Sequence, residues 1–123
     1  MLIRMQKRQT KIRIITDADR GKKDGKNSGD QIPKLRKDGI EVRENSHEIS
    51  PSASDFTPKM HNKFVIIDKT CCILGSFNWT MSAVKGNHES VIVSYDREIV
   101  SPLVKKFNRL WPKMQPLAAA EPN

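Results

Sequence analysis

Residues 60–80, MHNKFVIIDKTCCILGSFNWT, permit few structures. Two short runs, residues 62–67 with apolar 64–67 and residues 71–74, flank the polar triplet Asp68-Lys69-Thr70. Runs of this length, rich in β-branched side chains and separated by a tight polar connection, predict a β-hairpin. Side chains alternate faces along a strand, so His61 and Lys63 project together with Val65 and Ile67. Asn62, Phe64, Ile66 and Asp68 take the other face. If the hairpin returns Ser76 to the His61 end, Ser76 and Asn78 join the histidine and lysine. Gly75, with no side chain, lets backbone approach closely there. The cluster then holds an imidazole, an ammonium, a hydroxyl and an amide.

Imidazole is a nucleophile and proton carrier near neutral pH. Donors and positive charge held around a tetrahedral anion stabilise charge developing on phosphoryl oxygens. The set suits phosphoryl or phosphodiester chemistry through a histidine intermediate. It lacks the clustered carboxylates that hold magnesium, so the expectation is a reaction without metal or other cofactor.

The remaining elements follow from periodicity and punctuation. Residues 2–8 read as the end of a helix, 11–16 as a strand, 17–30 as a loop and 31–37 as a short helix capped by Asp30. Gly39 stops that helix and residues 40–43 form a strand. A polar loop over 46–58 leads into the hairpin and is expected to form a rim of the site. Residues 78–84 read as a helical turn and 90–94 as a strand. The last helix carries Val100, Leu103, Val104, Phe107, Leu110 and Trp111 on one stripe, with Ser101-Pro102 read as its N-cap and first position. The order predicts an α/β layered sheet with flanking helices and at least one poorly covered edge. The domain is expected over residues 1–112, with 113–123 a disordered tail.

Charge is uneven. Residues 1–43 hold thirteen Lys/Arg against six Asp/Glu, whereas residues 44–123 hold nine against eight. A one-sided basic excess suits an anionic partner, either nucleic acid or an acidic membrane surface. Arg20, Lys22, Lys23 and Lys26 are placed to track a phosphate backbone. Cys71 and Cys72 are adjacent and read as small, reduced apolar residues, since neighbours on a strand face opposite ways. That fits an intracellular protein. No run approaches the ~18 apolar residues of a membrane span.

The spacing His61-x-Lys63, then Asp68, then Gly75-Ser76-Phe77-Asn78 resembles the HKD signature of the phospholipase D superfamily. Residues 28–43 (SGDQIPKLRKDGIEVR), Met60, Trp79-Thr80, Asn87-His88-Glu89 and the terminal KKFNRLW are similar to the mitochondrial cardiolipin hydrolase (Zucchini) branch. The resemblance implies a phospholipase D-like fold, of which this chain is expected to lack the opening strand and most of the first helix. It implies His61 as nucleophile, Lys63, Ser76 and Asn78 as phosphate ligands, and Glu89 as the group that orients an imidazole. Asp68 joins the site only as a motif member, because strand geometry puts it on the opposite face.

The resemblance further implies a homodimer that brings two His61 residues together. The substrate would be single-stranded nucleic acid or an anionic phospholipid such as cardiolipin. The lack of an obvious apolar surface helix tilts this towards nucleic acid. The location would be the mitochondrial surface, although the membrane anchor of those relatives is not in this chain. The alternative is a non-catalytic phosphate- or nucleic-acid-binding module.

Overall fold

In a computed structural model of the chain, residues 2–17, 32–45, 59–78 and 84–116 are described. The expected loops over 18–30 and 46–58, the Asp30 cap, residues 79–83 of the helical turn with Trp79, and residues 117–123 lie outside them. The chain divides into two compact units, Met1–Met60 with Lys113–Asn123, and His61–Pro112.

The first unit contains helix α1 (Leu2–Lys7), strand β1 (Arg13–Thr16), helix α2 (Ile32–Lys37), strand β2 (Glu41–Glu44) and strand β6 (Gln115–Pro116). β1 and β2 pair in parallel, Ile14 beside Val42, with α2 in the crossover between them. Gly39 ends α2 as expected. It takes φ 82°, its N–H donates to Arg36 O, and Ile40 N–H reaches back to Leu35 O. That pair of bonds is a Schellman stop, which needs the left-handed conformation glycine adopts without strain. Among the described residues, Ile40 and Val42 are the buried apolar residues of this unit.

Residues 113–116, expected in the tail, instead include β6, which pairs antiparallel with β2 through Arg43–Pro116 and Glu44–Gln115. Proline cannot donate to a ladder, but a short edge strand accommodates it. The pairing covers the side of β2 away from β1.

The second unit contains β3 (Phe64–Ile67), β4 (Cys71–Gly75), β5 (Val91–Ser94) and helix α3 (Arg97–Leu110), followed by one 3₁₀ turn from Trp111. β3 and β4 form the expected hairpin. Its connecting residues Asp68 and Lys69 take φ 51° and 59°, as in the primed turns that match strand twist. β4 lies between β3 and β5. Cys71 and Cys72 are both buried and neither is in a disulfide. β5 is the open edge anticipated from the sequence, with Val91, Ile92 and Val93 each at least half exposed.

The apolar stripe of α3 is as expected. Val100 and Trp111 are buried, Phe107 stacks on Trp111 with ring centres 5.5 Å apart, and the helix packs on β3 and β4. Its start is not as expected. The N-cap is Asp96, whose carboxylate accepts Glu98 N–H at 2.8 Å, and Ser101-Pro102 lies inside the helix. Pro102 forfeits the bond to Glu98 O, yet a capped first turn that buries Val100 outweighs that loss. Asp96→Ala should therefore lower stability by about 1 kcal/mol, with Asp96→Asn nearly neutral. Urea midpoints of the three proteins check this.

Candidate functional site

The site forms where β4 leaves its sheet. Gly75 N–H lies 3.4 Å from Lys63 O on one side, and Ser76 N–H donates to Ser90 O at 3.0 Å on the other. A Cβ on Gly75 would sit 2.0 Å from Ser90 O, with further backbone atoms at 3.0 Å. Only glycine fits between those strands, and that fit brings Lys63, Ser76 and Glu89 into one neighbourhood.

The hairpin returns Gly75 level with Lys63, and the two share one cavity wall with Ile73, Leu74, Phe77 and Val91. The cavity, of about 190 Å³, is almost wholly apolar apart from the Lys63 end. The Lys63 ammonium donates to His61 O at 3.0 Å, closing a small loop across the first residues of the motif. An ammonium carries three donors, so two remain for an anion.

Glu89 is the most connected side chain of the group. Its Oε2 accepts Ser76 Oγ–H at 2.5 Å and its Oε1 accepts Asn87 Nδ2–H at 3.0 Å. Ser76 Oγ in turn accepts Ser90 N–H at 3.1 Å. The Ser76 bond, then the Asn87 bond, and more weakly the Lys63 charge hold the Glu89 carboxyl below its usual value, against a small opposing desolvation. The stabilisation tied to this ionised carboxylate is present above the usual glutamate range. It is lost as pH falls through the lowered value.

His61 and Asn78 are both exposed, at the entrance of β3 and beyond the exit of β4. Among the described residues the His61 imidazole makes no side-chain hydrogen bond, and Glu89 is engaged elsewhere. Asp68, carried in as a motif member, is not brought to the group. It occupies the turn at the other end of the hairpin, five extended residues or about 16 Å along the chain from Lys63. Among the described residues no three His, Cys, Asp or Glu side chains come together as a metal cluster would require.

Three supporting contacts were not legible beforehand. Asn87 binds Glu89. Lys106 of α3 donates to Asn62 Oδ1 at 2.9 Å, holding the residue between His61 and Lys63. Asp17 Oδ2 accepts Met60 N–H at 2.7 Å, just ahead of His61. Alternation did place Asn62 on the face away from His61, which hinted at the second contact. Nothing local signalled the third, which spans 43 positions.

The family described as "Cardiolipin synthase, PLD-like domain" matches residues 1–111. The chain belongs to this PLD-like domain family. It is 37% identical over 112 residues to a mitochondrial cardiolipin hydrolase of Homo sapiens, covering 91% of this chain and 39% of that protein. It is 34% identical over 107 residues to a phospholipase D of Rickettsia prowazekii, covering 86% and 45%. The chain thus spans less than half the length of these relatives.

Among solved structures, NucT from Helicobacter pylori is similar with a TM-score of 0.76 at 21% identity, covering 93% of this chain and 70% of that one. Nuc, a phospholipase D family member from Salmonella typhimurium, gives 0.69 at 22%, covering 94% and 69%. At that identity the likeness establishes the fold, which is phospholipase D-like, as the sequence resemblance implied.

Gly75→Ala should open the β4–β5 junction, because the atom it would strike is backbone and cannot swing aside. The expected cost is at least about 1–3 kcal/mol, together with faster amide exchange at Ser76 and Ser90. An unchanged denaturation midpoint with full amide protection would contradict it.

Proposed function

We propose that this chain carries the phosphate-binding and nucleophilic half of a phosphodiesterase. The observation that supports it most directly is the gathering of Lys63, Ser76 and Glu89 at the strand end where His61 enters. A cation, hydrogen-bond donors and a fixed carboxylate then surround the approach to a histidine.

In this reading the His61 imidazole attacks phosphorus, a P–N bond forms and a P–O bond breaks. Lys63 and the Asn78 amide hold the phosphoryl oxygens, and Ser76 stands beside them with its hydroxyl on Glu89. The departing alkoxide needs a proton, which a second imidazole supplies. A twofold partner provides it, so the working unit is a homodimer with one His61 as nucleophile and the other as acid. The two must then be in different protonation states, one neutral to attack and one protonated to donate. Water cleaves the phosphohistidine, its proton returns to the second imidazole, and His61 is regenerated. Glu89 orients an imidazole and offsets its charge. Asp68 supports the hairpin rather than the reaction.

The substrate class follows from charge and surroundings: a phosphodiester of single-stranded nucleic acid or of an anionic phospholipid. Relatives named mitochondrial cardiolipin hydrolase favour the lipid and a mitochondrial location. The basic residues of the first third favour either. Among the described residues no helix is long and apolar enough to cross a membrane.

Cleavage of a labelled single-stranded oligonucleotide and of cardiolipin vesicles, both with chelator present, tests the reading. The expected outcome is chelator-resistant cleavage of one or both, reduced at least about 1,000-fold in His61→Ala. Salt-sensitive binding without cleavage would instead make this a non-catalytic phosphate-binding module. A strict need for added metal would sink the histidine mechanism.

A further inference from the structure

The hydrogen bonds around Glu89 assign work to two side chains, and the assignment rests on the phosphodiesterase reading above. The carboxylate is held at both oxygens, Oε1 by the Asn87 amide and Oε2 by the Ser76 hydroxyl. A carboxylate bonded at one oxygen still turns about its last torsion; bonded at both, it has one orientation. Its remaining lone pairs then point in a fixed direction, which is what a group that orients an imidazole requires.

Ser76 has a single hydroxyl proton and spends it on Glu89. Its oxygen also receives Ser90 N–H, so the side chain substitutes for a carbonyl and extends the β4–β5 ladder one step past Gly75. While Glu89 is ionised, that hydroxyl has no proton left for a substrate oxygen. Lys63 is differently placed. Its charge reaches Glu89 but it makes no ion pair with it within 4.0 Å, leaving the ammonium open to an anion.

We propose that Asn87 is a positioning residue, that Ser76 acts with it to clamp the Glu89 carboxylate, and that phosphate binding falls to Lys63 and Asn78 without Ser76. This departs from the expectation that Ser76 is a phosphate ligand. It also gives Asn87 a role that its place beside His88-Glu89 in the sequence did not suggest.

The charged group acting on Glu89 is Lys63, at the entrance of β3; Ser76 and Asn87 are neutral donors. Removing either donor should let the carboxyl rise towards its usual value, so the carboxylate is lost at a higher pH. The test uses the full chain with ¹³C-labelled glutamate carboxyls. Glu89 titration by NMR, inorganic phosphate binding by calorimetry, and hydrolysis of bis(4-nitrophenyl) phosphate are followed in wild type, Asn87→Ala, Ser76→Ala, Ser76→Thr and Lys63→Ala.

Asn87→Ala and Ser76→Ala should each raise the Glu89 midpoint and move the acid limb of activity upward with it. Each should lower kcat by about 2- to 10-fold, the worth of one hydrogen bond, with KM and phosphate affinity unchanged. Ser76→Thr keeps the hydroxyl and should restore the wild-type midpoint, and Lys63→Ala should weaken phosphate binding. The clamp is refuted if Asn87→Ala leaves the Glu89 titration in place, or if Ser76→Ala weakens phosphate binding as much as Lys63→Ala. Should the wild type hydrolyse nothing, the phosphodiesterase reading falls, and the Glu89 titration still decides the clamp.

Discussion

The site depends on one close approach: the backbone of Gly75 against Ser90. Where a Cβ would stand, the Ser90 carbonyl oxygen lies only 2.0 Å away. β4 is the middle strand of its sheet, so what happens at its exit sets the relation of both neighbours. On the β3 side the same residue faces the Lys63 carbonyl, and on the β5 side Ser76 and Ser90 exchange bonds. Glu89 directly precedes Ser90, so drawing β5 in delivers the carboxylate to Ser76. Charge, hydroxyl and ammonium are thus assembled by a packing constraint at a single residue, with no dedicated scaffold for each.

The rear of the strand matters as much as its front. Alternation turns Asn62 away from His61 and Lys63, and Lys106 on α3 takes hold of it there. α3 itself is anchored by the buried Val100 and Trp111 and by the Asp96 cap. Burying a side chain of that kind contributes about 1.5–3 kcal/mol, far more than an exposed hydrogen bond. The helix is therefore the stable body, and the bond to Asn62 transmits its position to the motif.

What was readable in advance was what local periodicity encodes. The hairpin, the Gly39 stop and the α3 stripe each follow from spacing within a few residues, and each is present. α3 starts ahead of Ser101-Pro102, although that pair is a strong helix-start signal in isolation. Burial of Val100 and capping by Asp96 extend the helix past it. β6 was not foreseen because two residues carry no pattern of their own; its partner β2 defines it. The polar group at the strand end was legible as residue types, since two pairs at spacing two bracket the hairpin. Its wiring was not, because whether Ser76 donates to Glu89 or to a ligand depends on the turn that brings residue 89 back.

Asp68 shows why a fixed spacing can join residues that never meet. The hairpin ties its two ends together by register: Phe64 opposite Leu74 and Ile67 opposite Cys71 fix Lys63 opposite Gly75. A slip of one residue in β3 would turn His61 and Lys63 to the face now held by Asn62 and α3. The turn sets that register, and it demands φ 51° at position 68, where aspartate is among the few non-glycine residues that settle readily. Asp68 therefore governs which face His61 and Lys63 occupy while remaining at the far end of the strands. Its count from His61 in the sequence is a measure of strand length, and its influence on the chemistry runs through the ladder between them.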